Sequence, residues 1–237
     1  MSAIVSRHAD TPLSNVPHSR RRVTFQDFAL GELIDDIDEV KMLIDPQSAY
    51  AQLFAYSKNR QIDDLIVTAF TGNSISVAND DTTSNVALPS AQQIANGGTG
   101  LTLAKLRQAK QILDTSDVPD EDRYFVYSPI GLQQVLADSQ LTSTDYNSVR
   151  ALERGGVENF LGFRWIKSTR LTVASSIRTC IAWHKNGMGL GILLDKSVEV
   201  DKRPDKNNST QVLLKLTAGA VRIEEALVVQ LDIDETK

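Results

Sequence analysis

The chain has 237 residues, 41% of them hydrophobic and 23% charged, with a formal net charge of -5. That length supports a substantial core, as one large domain or two small ones, and the acidic balance argues against a dedicated nucleic-acid binder, which carries a basic surplus. No apolar run reaches the ~20 residues needed to span a bilayer, Met1–Asp10 lacks the apolar core of an export signal, and the single cysteine, Cys180, leaves no intramolecular disulfide.

Residues 8–22, HADTPLSNVPHSRRR, hold two prolines, two histidines and three consecutive arginines. They read as an arm, because ordering costs roughly 1–2 kcal/mol of backbone entropy per residue and little apolar surface is present to offset it. Residues 22–34 read as a strand with a bend or bulge, Val23, Phe25 and Asp27 lying on one side before Phe28 and Leu30 break the alternation. Asp35, Asp36, Asp38 and Glu39 follow as an acidic turn. The run lacks the central glycine and terminal glutamate of a calcium loop, so it reads as solvated.

The strongest helix signal comes next. Asp45 can cap, Pro46 suits a first turn, and Tyr50, Leu53, Phe54, Ile62, Leu65, Ile66, Ala69 and Phe70 recur at three- and four-residue steps before the Gly72-Asn73 stop. A helix over 47–71 is ~38 Å long at 1.5 Å per residue, and its apolar stripe is interrupted around Ser57, Lys58 and Asn59. Residues 73–100 are rich in Asn, Ser, Thr and Gly and predict a loop or loose hairpin. A second helix starts at the capping residue Thr102, a strand covers Arg123–Ser128, and Pro129 opens a third helix. Further strands are expected within 155–171, over 178–185, and repeatedly across 198–234. The class is α+β, with a central α/β block and β arms at both ends.

The sequence contains no recognisable catalytic set. His8, His18 and His184 have no metal-ligand spacing to one another or to Cys180. His184 reads as a strand-end histidine and Cys180 as a small buried hydrophobe. Gly97-Gly98-Thr99-Gly100 lacks the Lys-Ser/Thr pair of a phosphate loop, and Gly187-Met188-Gly189-Leu190-Gly191 lacks dinucleotide spacing, so both read as flexible turns. Asp63 and Asp64 are adjacent on a helix and point in different directions. No cofactor, metal or catalytic residue is assigned.

An arm that cannot bury itself, an over-long helix and extended β segments near both ends suit a subunit that laps over its neighbours. The stretches RHADTPLSNVPHSRRRVT (7–24), DEVKMLIDPQSAYAQ (38–52), RQIDD (60–64) and ENFLGFRWIKSTRL (158–171) resemble the major capsid proteins of tailed bacteriophages. The resemblance implies the Hong Kong 97-like capsid fold: a long spine helix, a peripheral β-sheet and a central α/β axial domain. Carried over, 1–22 is the remnant of an N-terminal arm or loop, 23–75 and 198–237 form the peripheral domain with Gln47–Thr71 as spine, and 76–197 the axial domain. Arg123–Ser128 and Val157–Ser168 would be axial strands, and Gln211–Asp234 the returning peripheral strands. Relatives of this kind carry several dozen more residues at the front, so this member is expected to be short or processed there.

The expected function is a major capsid protein that self-assembles into pentameric and hexameric capsomers of an icosahedral head shell enclosing double-stranded DNA. It would be built in the host bacterial cytoplasm, located in the virion and catalytically inert. Its partners would be itself and, beyond that, scaffold, portal or decoration proteins, with no membrane and no sequence-specific DNA contact. Arg20, Arg21 and Arg22 are the candidate inter-subunit cations, with Asp35, Asp36, Asp38 and Glu39 of an adjacent chain as candidate partners. The alternatives are a small-molecule enzyme on the α/β block and a monomeric binding module using the 73–100 loop.

Overall fold

Three helices and fourteen strands lie among residues 18, 20–35, 46–137, 159–195 and 198–237, which the computed structural model describes. They are β1 (Arg20–Arg22), β2 (Gln26–Ile34), α1 (Pro46–Thr71), β3 (Ser74–Val77), β4 (Thr83–Val86), β5 (Gln93–Ile94), α2 (Leu103–Thr115), β6 (Arg123–Tyr127), α3 (Pro129–Ala137), β7 (Asn159–Phe160), β8 (Phe163–Lys167), β9 (Val173–Ala174), β10 (Ile177–His184), β11 (Met188–Asp195), β12 (Glu199–Arg203), β13 (Ser209–Arg222) and β14 (Val228–Asp234).

The largest sheet runs β5-β14-β10-β6-β8-β7, with β9 paired to β10. Its centre is apolar on both faces: Phe125, Cys180, Ala182, Leu231 and Ile233 on one and Val126, Ile181 and Val228 on the other share one buried cluster with Leu103, Leu106, Ala109 and Leu113 of α2 and Val135 of α3. Helix α2 forms where expected, since Thr102 accepts a bond from the Lys105 amide and its apolar residues keep one stripe. Trp165 seals the β8 side, with Phe125 at 4.9 Å and Tyr127 at 5.1 Å between ring centroids.

A second sheet is organised around β13. Strand β2 pairs along one of its sides, while β11 and β12 share the other. Val212 and Leu214 of β13 form a smaller core with Ile34 and with Phe54 of α1. Helix α1 matches its expected extent, and at 26 residues it is ~39 Å long. Phe54 faces the β13 sheet, whereas Val67 and Phe70 join the larger core. One helix therefore spans both cores. The polar interruption is used as well, because Lys58 pairs with Asp195 at the end of β11. A third, small sheet, β1-β3-β4, caps the C-terminal end of α1.

Several expectations need correcting. The bent strand over 22–34 is two strands in different sheets, β1 and β2. Residues 23–25 cross from one to the other over Gly219, where a Cβ would sit 2.3 Å from the Thr24 carbonyl oxygen and 2.9 Å from Val23 Cγ1. The Gly-Met-Gly-Leu-Gly run is strand β11 for most of its length, not a turn. A Cβ on Gly191 would meet the Phe25 ring at 2.9 Å, so this glycine serves close approach rather than bending. Residues 73–100 do contain the expected hairpin, as β3–β4, but the rest is not simply loop, since Leu88 and Ile94 enter the large core. The segment 211–234 is split: β13 lies in the sheet with β2, but β14 lies in the large sheet between β10 and β5.

Candidate assembly surfaces

The arginine triplet is divided by its surroundings. Arg20 is exposed at the hairpin tip, donating to the Ala78 carbonyl at 2.6 Å and to Asp81 at 3.3 Å. Arg21 turns inward, giving Glu225 a two-oxygen contact at 2.9 and 3.0 Å and the Ile223 carbonyl a bond at 3.1 Å. Arg22 is exposed again and lines a cleft of about 430 Å³ between α1, β1–β2 and the end of β13. Alternation along β1 explains the pattern, since neighbouring side chains leave a strand on opposite faces. Asp35 is exposed and accepts from the Ser209 hydroxyl. Asp36, Asp38 and Glu39 lie outside the described residues. Among the described residues, then, Asp35 is engaged by Ser209 rather than by the arginines, and Arg21 is engaged within its own chain.

Glu225 is a hub that the sequence did not flag. Besides Arg21 it accepts from the Ser74 hydroxyl at 3.3 Å and lies 3.8 Å from Arg222 Nε. Arg222, fully buried, donates to the carbonyls of Phe70 and Gly72 at 2.7 Å each and of Val86 at 2.9 Å. These bonds satisfy carbonyls at the end of α1, which a helix leaves without internal donors. Lys105 is a second buried cation. Its ammonium lies 2.7–3.0 Å from the carbonyls of Asn96, Thr99, Gly100 and Asp232, so the Gly97–Gly98 turn wraps a lysine of its own chain. Burial draws the Lys105 pKa down, against the opposing pull of nearby anionic groups.

Cys180 and His184 are buried. Burial pushes the Cys180 thiol up to about 12 from 9.0. Buried His184 ends β10, its Nδ1 accepting from the Asn186 amide at 3.3 Å. Asp63 is raised, first by burial and then by its neighbour Asp64, which is itself engaged by Arg170. Among the described residues no group of three or more His, Cys, Asp or Glu side chains could hold a metal ion, and no helix is long and apolar enough to cross a membrane. The cleft beside Arg22 is lined by glutamine, threonine and asparagine side chains along with Asp64, with no nucleophile–base pair.

Large apolar side chains are exposed instead on the β13 sheet and the first half of α1. Tyr56 and Leu53 are 61% and 50% exposed on the helix. Leu30 and Leu33 lie on β2, and Leu190, Ile192, Leu193 and Val200 along the opposite side of the sheet.

Comparison with known proteins agrees with this picture. A family model described as phage capsid protein matches residues 1–235. No curated protein sequence matches. Among solved structures, one from Mycobacterium phage Che8 is 21% identical, with a TM-score of 0.64 over 89% of this chain and 71% of the other. The capsid of cyanophage P-SCSP1u is 17% identical, with a TM-score of 0.67 over 96% and 80%. The capsid asymmetric unit of cyanophage Pam1 is 14% identical, with a TM-score of 0.63 over 99% and 82%. These likenesses show the Hong Kong 97-like fold.

Proposed function

The chain belongs to the phage capsid protein family and is a major capsid protein of the virion, and from that premise we propose how its parts are used. Copies form rings of five and six, which close into an icosahedral head shell around double-stranded DNA. Head-to-tail contacts generate rings when the rotation closes. A net charge of -5 suits a container that encloses nucleic acid without gripping it. The family match over residues 1–235 carries this reading.

In this reading the β13 sheet with α1 is the peripheral domain and the large sheet with α2 and α3 the axial domain. Arg20, Arg22 and the acidic run Asp35–Glu39 remain candidate contacts between copies, while Arg21 serves its own chain. The protein works without turnover, and assembly takes place in the host bacterial cytoplasm. Any scaffold, portal or decoration protein joins a shell whose main contacts are between copies of this chain. Negative-stain imaging and solution mass of the purified protein test the proposal. Rings or closed particles are expected; compact monomers or dimers at every concentration would overturn it.

A further inference from the structure

The turn at Gly97–Gly98 is the reverse of a phosphate loop. A phosphate loop points backbone N–H groups inward and holds an anion, whereas here carbonyl oxygens converge. Gly97 and Gly98 lie at φ +54° and +65°, a left-handed backbone that glycine adopts without strain. Their turn gathers the carbonyls of Asn96, Thr99 and Gly100 around one point, and β14 adds the carbonyl of Asp232. The ammonium of buried Lys105 sits there, 2.7–3.0 Å from all four oxygens. An ammonium has three protons, so four oxygens surround its charge rather than follow three bond directions. Other bonds fix the cage: the Thr99 amide donates to Asn96 and the Asp234 amide to Thr99, each at 3.0 Å, and the Leu101 amide to Gln134 Oε1 at 2.8 Å. Lys105 also stands in the first turn of α2, where the helix dipole disfavours a cation. Burial of the ammonium works against its charge, and Asp232 and Asp234 work for it.

We propose that the carbonyls of Asn96, Thr99, Gly100 and Asp232 form a site for a large monovalent cation, which Lys105 fills with its own ammonium. This inference stands apart from the capsid reading. Oxygens at 2.7–3.0 Å are too distant for magnesium, which needs about 2.0–2.1 Å, or calcium, which needs about 2.3–2.6 Å. Converging neutral carbonyls instead replace the hydration shell of potassium, and charge-assisted bonds of about 2.7–2.9 Å suit ammonium. A tethered ammonium cannot diffuse away, so the join between the turn, α2 and β14 holds whatever ions surround the protein. Without the lysine side chain, the same cage takes potassium or ammonium from solution.

Melting of the full chain carrying Lys105→Ala, in chloride salts of equal ionic strength, tests this. The salts are those of lithium, sodium, potassium, ammonium and propylammonium, and each Tm is compared with the parent's in the same salt. Propylammonium carries the atoms that the substitution removes, from Cγ to Nζ. In Lys105→Ala, potassium, ammonium and propylammonium should each raise the Tm above its value in lithium. The rise should be roughly 3–6 °C once the cation stands at about ten times its Kd. The parent, whose cage is filled, should show no such order among the salts. Lys105→Met keeps the stem in place and should also show none. A Lys105→Ala Tm that is the same in every salt would overturn the proposal. So would lithium or sodium acting as well as potassium, or recovery by propylammonium alone, which marks a cavity rather than an ion cage. The same order of salts in the parent or in Lys105→Met places the ion elsewhere and overturns it too. If Lys105→Ala is unfolded in lithium, refolding in potassium or ammonium supports the site, and failure to refold in every salt overturns it.

Discussion

Arg222 Nη1 donates to the Phe70 carbonyl oxygen at 2.7 Å, so a residue of β13 holds the last turn of α1. Its bonds to Gly72 and Val86 extend the same hold to the start of the β3–β4 hairpin and its far strand. Three parts of the chain thus meet on one buried guanidinium. Arg222→Met keeps the volume but leaves those carbonyls without a donor, which costs on the order of 3 kcal/mol. At roughly 2–4 °C per kcal/mol for a chain of this size, the Tm of the isolated subunit should fall by roughly 6–12 °C. Arg222→Lys should lose less, having charge but not the fork that reaches all three. A Tm within a degree of the parent in Arg222→Met would show the cluster to be energetically idle.

The triplet Arg20–Arg22 should separate under substitution. Arg21→Gln removes a sheltered two-oxygen contact with Glu225, worth about 1–2 kcal/mol, and should lower the subunit Tm by roughly 2–8 °C. Arg22→Gln touches an exposed side chain and should melt like the parent. Any effect of Arg22→Gln should appear in assembly, where it weakens as salt screens the charge. Equal thermal shifts for the two variants would contradict the inward placement of Arg21.

At Gly219 the expected injury is steric. A methyl group there would press on the Thr24 carbonyl oxygen at 2.3 Å, and crowding of this kind costs about 1–3 kcal/mol. Gly219→Ala should push residues 23–25 off β13 and expose the Arg20–Arg22 run to trypsin. Faster cleavage there, compared with the parent, is the measurement. Unchanged cleavage and unchanged melting would mean the crossing is looser than these contacts indicate.

Cys180 provides a pH-dependent check. Its thiol stays protonated in the folded chain to about 12, against 9.0 as the ordinary value. As pH rises through that window the unfolded chain gives up a proton that the folded chain keeps, so stability falls with rising pH. Below 9.0 both states hold the proton and the contribution vanishes. Comparing denaturant midpoints at pH 8 and pH 10 for the parent and Cys180→Ala should show the extra loss in the parent alone. At pH 8 a thiol reagent should label Cys180 in denaturant and leave the folded protein unlabelled; rapid labelling of the folded protein would contradict the burial.

Local patterns were legible in the sequence where they act locally. The periodicity of Tyr50 to Phe70, the Thr102 cap and the aromatic run at Arg123–Tyr127 all predict elements that form. The resemblance to tailed-phage capsid proteins, carried by four short stretches, supplied the fold that periodicity alone could not. What stayed hidden depends on distant partners. An arginine in a strand reads as exposed, and nothing near Arg222 in sequence announces the Phe70 and Val86 carbonyls it meets. Lys105 is hidden for the same reason, as part of its cage comes from Asp232. The run Gly187–Gly191 misleads because glycine serves both turns and close approach, and Phe25, which requires the latter, lies far earlier in the chain. The allocation of β13 and β14 to different sheets is likewise set by pairing rather than by either strand's composition.

The path of β13 into β14 has a mechanical consequence. Strand β13 is 14 residues long and central to its sheet, and after a short turn at Glu225–Leu227 the chain enters β14, bonded on both sides in the large sheet. A tensile load pulling the two sheets apart therefore runs along these strands. It meets the ladders lengthwise, so that many hydrogen bonds share the force at once instead of opening one after another like a zipper. In a shell stretched by its contents, the weak points would then be the seams between subunits, and each subunit would act as a stiff tile.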